Sequence, residues 1–189
     1  MKMSGSRQLD SSQTEVWAKL NDVAVLKRCI PGCESLELVG DHGFKATVGV
    51  KIGPMSAKFN GDVALSDVKP PVSYRISGKG QGGAAGFASG GANVRLEPKD
   101  GGTLLCYDVD ATVGGKMAQL GGRLIDATAA QLANQFFDRF ANEVAAPAAA
   151  AGPSDAAAIG TPTSAASQQW IWWAIGAVVV LGIIYMLRQ

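Results

Sequence analysis

Residues 44–52 read FKATVGVKI and residues 55–65 read MSAKFNGDVAL, joined by Gly53 and Pro54. In the first run Phe44, Ala46, Val48, Val50 and Ile52 alternate with Lys45, Thr47, Gly49 and Lys51. In the second, Met55, Ala57, Phe59, Gly61, Val63 and Leu65 alternate with Ser56, Lys58, Asn60, Asp62 and Ala64. A period of two sends successive side chains to opposite faces, so both runs read as strands with one apolar and one wet face. That asymmetry belongs to antiparallel sheets covered on one side, and Gly-Pro supplies the turn between them.

Downstream, Pro70 and Pro71 break the pattern, and Val72, Tyr74 and Ile76 start another strand. A glycine-rich stretch, residues 78–91, leads into a strand at 93–96, and Asp100-Gly101-Gly102 is a hairpin turn. Leu105, Tyr107, Val109, Ala111 and Val113 alternate in the last strand, which Gly114 and Gly115 close. Upstream, residues 3–9 read as a first strand. Ser11 or Ser12 with Glu15 then forms a helix-capping signal, and a second short helix runs from Asp22 to Cys29, ended by Pro31 and Gly32. After the strands one long helix is predicted over residues 116–144. Its stripe is Met117, Leu120, Leu124, Thr128, Leu132, Phe136 and Phe140, flanked by Ile125 and Phe137. Gly121 and Gly122 inside it cost about 1 kcal/mol each relative to Ala. Either the sheet backbone comes close there or the missing side chains make room for a ligand.

The order is strand, two short helices, about six antiparallel strands and a long helix, an α+β arrangement in which a curved sheet wraps on the helix. Twist and curl hold the concave face of such a sheet off the helix, so an internal apolar cavity is expected. The candidate lining residues combine inward strand positions with the helix stripe. They are Trp17, Leu20, Phe59, Phe87, Tyr107, Met117, Leu120, Leu124 and Phe136.

Beyond this domain, residues 1–144, the composition changes abruptly. Residues 145–169 are almost all Ala, Pro, Ser, Thr and Gly, with Asp155 the single charge. Such a segment buries too little apolar area to offset chain entropy, and is expected to be a disordered linker spanning roughly 25–30 Å. Residues 170–189 hold an uncharged apolar run ending at Leu187, with Trp170, Trp172 and Trp173 at one end and Tyr185 near the other. The run is long enough to cross a bilayer core, and its aromatic ends suit the headgroup level. A single C-terminal transmembrane anchor is therefore expected. With no secretory signal at the amino terminus, the domain is expected on the cytoplasmic side of the cytoplasmic membrane.

Seventeen Lys and Arg against sixteen Asp and Glu give a nearly balanced chain. That argues against a nucleic-acid partner, whose phosphates demand a basic excess. Cys29 and Cys33, with Cys106 and the single His42, fall short of a zinc or iron–sulfur set, so a structural role for the cysteines and a turn position for His42 are favoured. In Gly78-Lys79-Gly80 the lysine is followed by Gly rather than Ser or Thr, and strands surround it, so a phosphate loop is disfavoured against strand bending. Asp108 and Asp110 alternate with apolar positions and should face water. One histidine in a turn leaves no nucleophilic triad, and no catalytic residue is assigned.

Several motifs carry a family resemblance. They are Cys29-Ile30-Pro31-Gly32-Cys33-Glu34, Lys51-Ile52-Gly53-Pro54-Met55, Gly82-Gly83-Ala84-Ala85-Gly86, Gly121-Gly122-Arg123-Leu124-Ile125 and Phe136-Phe137. With the element order, they make the chain resemble the carbon monoxide dehydrogenase CoxG family of the START-like (SRPBCC) helix-grip superfamily, across essentially the whole domain. The resemblance implies a helix-grip fold and an accessory protein rather than an enzyme. Its implied partners are a molybdenum hydroxylase of the carbon monoxide dehydrogenase type and the cytoplasmic membrane. Its implied ligand is a respiratory quinone or lipid, with no covalent cofactor and no metal. Two other readings stay open: a recruitment scaffold without a ligand, and an enzyme acting on an apolar substrate.

Overall fold

The computed structural model describes residues 1–145, which lie within one compact unit, Met1–Ala150. The chain runs β1 (Lys2–Leu9), α1 (Gln13–Leu20), α2 (Val23–Cys29), β2 (Cys33–Val39), β3 (Gly43–Ile52), β4 (Met55–Lys69), β5 (Ser73–Gln81), β6 (Phe87–Lys99), β7 (Gly102–Gly114) and α3 (Gly122–Ala145). The seven strands form one sheet in the order β1-β7-β6-β5-β4-β3-β2, with every neighbouring pair antiparallel. The hairpin that decides the fold has the expected register. Phe44 pairs with Val63, Val48 with Phe59 and Ile52 with Met55, so the two apolar sets share one face. On the other face Glu37, Lys45, Asp62 and Lys79 lie side by side across four strands, alternating in charge. Such cross-strand pairs reinforce the register.

β2 is a strand that alternation did not single out. A register shift between Cys33 and Ser35 moves its phase, and it is an edge strand with Leu38 and Val39 exposed. Gly32 before it has φ +74° and its α-carbon lies against the Gly49 carbonyl, leaving no space for a side chain.

The long helix is shorter than predicted. Gly115–Leu120 is a 3-10 turn, Gly121 adopts φ +88°, and α3 starts only at Gly122. The sheet backbone does not come close to the glycine pair, because nothing lies within 4 Å of a Cβ placed at Gly121 or Gly122. Gly121 is needed for its left-handed backbone, which breaks the helix before it begins. The break resets the helical phase. The buried face of α3 is Ile125, Phe137, Phe140 and Val144, while Leu124 is 38% exposed. Of the expected linker only Ala145 is described, and it ends α3. The expected anchor lies outside the described residues, among which no helix is long and apolar enough to cross a membrane.

The helices close the concave side. Ser12 caps α1 through a capping box with Glu15. Ser12→Ala should cost about 1 kcal/mol, read as a lowered denaturant midpoint. Arg28 of α2 forks onto Glu143 of α3, with Nε 2.8 Å from Oε1 and Nη2 2.7 Å from Oε2. That hydrogen bonding holds the Glu143 carboxyl below its ordinary value. A carboxyl lowered by folding contributes stability above its unfolded pKa and loses it as pH falls through the folded one. Glu143→Gln should therefore lower Tm at neutral pH, and its difference from wild type should close below about pH 4. Melting curves between neutral and acid pH check this.

Candidate functional site

The main core packs Leu9, Val16, Val25, Cys29, Leu96, Leu105 and Phe140 where α1, α2 and the second half of α3 meet the sheet. A second cluster, Ile52, Phe59 and Met117, fills the end of the sheet where the β3–β4 turn meets the 3-10 turn before α3. Next to the main core the concave face stands free and lines a partly open apolar cavity of about 430 Å³. The sheet contributes inward residues of β1 to β7, including Met3, Leu36, Ala46, Val63, Ala92 and Val109, and the helices contribute Leu20, Leu26, Ile30, Ala133, Phe136 and Phe137. Ala46, Ala92 and Ala133 are small residues at inward positions, and the space they leave open is part of the hollow.

Tyr74 and Tyr107 bring the only hydroxyl groups among the lining residues. Trp17 of α1 meets Tyr74 edge-on, with ring centroids 5.4 Å apart. Tyr107 stacks on Phe137 at 5.0 Å and lies over Gly5, whose missing side chain makes room for its ring. Burial pushes the Tyr74 phenol well above its ordinary value, so it stays a neutral hydroxyl at any physiological pH. The cavity can thus hold an apolar body: its wall is almost wholly apolar, and it has no charged group among its lining residues.

Of the nine sequence-derived candidates, Leu20, Tyr107 and Phe136 line this cavity. Trp17 packs behind it against Tyr74 and the main core. Phe59, Met117 and Leu120 belong to the second cluster. Leu124 is pushed outward by the helix break and lies against Gly53, and Phe87 covers Gly114 with 43% of its surface exposed. Sequence reasoning favoured large side chains, whereas large side chains fill space and small ones leave it. The alanines at inward positions and the apolar face of α2 were the better signal.

Cys29 is buried in the core, the Cys33 thiol reaches the Ser35 carbonyl at 3.4 Å, and burial raises both thiols. Among the described residues no group of three His, Cys, Asp or Glu could hold a metal. Asp108 and Asp110 line an open polar hollow of about 770 Å³ on the outer face, where Asp110 is 70% exposed and 3.8 Å from Lys2. Its water-facing walls give those carboxylates no apolar enclosure.

Residues 5–145 match the family model that describes the CoxG subunit of carbon monoxide dehydrogenase. Among solved structures, a conserved protein from Geobacillus kaustophilus is 36% identical, with a TM-score of 0.72 over 77% of this chain and 95% of that one. A START superfamily protein from Mycobacterium smegmatis is 15% identical, with a TM-score of 0.59 over 76% and 97% of the two chains. The ZhuI aromatase/cyclase from Streptomyces sp. R1128 is 14% identical, with a TM-score of 0.57 over 80% and 98%. These last two likenesses are of fold, the START-like curved sheet with its C-terminal helix. No protein with a curated description matches the chain.

Proposed function

The chain belongs to the carbon monoxide dehydrogenase CoxG family, and from that premise we propose that it is a membrane-tethered accessory protein of a molybdenum hydroxylase that binds a respiratory quinone or related lipid. The observation that carries this reading is the cavity of about 430 Å³, with almost wholly apolar walls. Its volume falls within the roughly 300–1,000 Å³ typical of small-molecule sites. Apolar burial drives ligand entry at about 25 cal/mol per Å². The apolar run at residues 170–187 supports a tether. A soluble oxidase whose electron acceptor is dissolved in lipid needs a component that works at both places, and a tethered cavity protein supplies one. The role is accessory: the enzyme would do the chemistry, and this chain would position it and its acceptor.

The test is extraction of the full-length protein purified from membranes, followed by mass spectrometry of co-purified apolar molecules. About one quinone-class or lipid molecule per chain supports the reading. Recovery of none, with no uptake when quinone is added, leaves only a recruiting scaffold.

A further inference from the structure

The two ends of the sheet differ in chemistry. At one end lie the β3–β4 turn, the β5–β6 hairpin tip with its 3-10 turn Gly83–Ala85, and the 3-10 turn Gly115–Leu120 leading into α3. They converge there, since a side chain on Gly53 would touch Leu124 and one on Gly86 would strike the Gly114 carbonyl. Residues 51–58, 82–87 and 114–125 supply four basic residues, Lys51, Lys58, Lys116 and Arg123, and no acidic one. Lys58 is engaged with Glu34 at 2.6 Å, while Lys51, Lys116 and Arg123 are exposed. The same segments expose Pro54, Phe87 and Leu124, the latter two 43% and 38% accessible. The nearest acid further along the chain is Asp126. The opposite end is mixed in charge: Asp41 before β3, Asp67 near the end of β4 and Asp100 before β7 are exposed, and so are Lys69 and Lys99.

We propose that the basic, apolar end of the domain docks on the surface of a bilayer containing anionic lipid, with Phe87 and Leu124 entering the headgroup layer and Lys51, Lys116 and Arg123 meeting lipid phosphates. A membrane is favoured over a protein partner by the charge pattern. Three exposed cations with no acid in the same segments, beside a few exposed apolar side chains, suit an anionic interface, and the mixed charges of the far end do not. The proposal rests on the tether reading. The chain from residue 146 to residue 169 can extend to at most about 80 Å, more than the roughly 36 Å of α3, so its length permits this docking.

The test is hydrogen exchange on the full chain reconstituted in vesicles, either phosphatidylcholine alone or phosphatidylcholine with phosphatidylglycerol. Exchange at residues 82–87 and 115–124 should slow at least fivefold in the anionic vesicles relative to the neutral ones. The combined Lys51→Glu, Lys116→Glu and Arg123→Glu variant should lose that difference while keeping its Tm. Chain that floats with the vesicles but shows no protection overturns the docking and leaves the tether. Chain that fails to float overturns both. Protection of these segments only on adding a partner oxidoreductase, with none from lipid, overturns the docking in favour of a protein interface.

Discussion

Replacing Phe140 by Ala should lower the stability of the domain by about 3–5 kcal/mol, a drop in Tm of roughly 10–20 °C. Phe140 is fully buried and packs in the main core, stacked on Phe136 at 5.7 Å. Its ring joins α3 to the residues of α1 and α2 that close the concave side. Removing it deletes transfer free energy and leaves a void among residues already at their packing limit, Val16 and Cys29 among them. Leu38→Ala is the control. Leu38 is 55% exposed on the edge strand, and its loss should move stability by less than about 0.5 kcal/mol. Thermal melts of both variants beside wild type decide the matter.

Ala133→Trp should reduce bound quinone or lipid at least tenfold while leaving the fold intact. Ala133 lies on α3 facing the cavity, where a larger side chain enters empty apolar space instead of displacing packed neighbours. Burying an indole there offsets strain, so Tm should hold or rise, in contrast to the overpacking that usually costs about 1–3 kcal/mol in a filled core. The variant also separates carrier from scaffold. A scaffold would keep its full effect with the cavity filled. A carrier would still bring the enzyme to the membrane but would lose electron delivery. Ligand content per chain, enzyme co-sedimentation with membranes and quinone reduction are the three readouts.

The strands were legible wherever apolar and polar residues alternate over a long run, as from Phe44 to Leu65, because one buried face fixes both register and side. The element order followed from the same signal. The helix start did not, because Met117, Leu120 and Leu124 keep helical spacing through a break that Gly121 imposes by its backbone angle alone. β2 escaped because its bulge shifts the alternation within a seven-residue edge strand. The site was the least legible part. An apolar face looks the same in sequence whether a facing side chain fills the space or leaves it open. Phe59 and Met117 fill one end of the sheet, and Ala46, Ala92 and Ala133 leave the middle free, a difference set by three-dimensional complementarity. Tyr107 and Phe136 were found because they are aromatic and also happen to border the gap.

The central claim, that the concave face holds an apolar ligand, is tested most directly by calorimetric titration of a short-chain quinone into the full-length protein in lipid nanodiscs. Empty nanodiscs and the Ala133→Trp protein serve as references. Saturable one-to-one binding with a negative heat-capacity change is expected, absent from both references. Uptake that never saturates and is the same for wild type, Ala133→Trp and empty discs would contradict the claim.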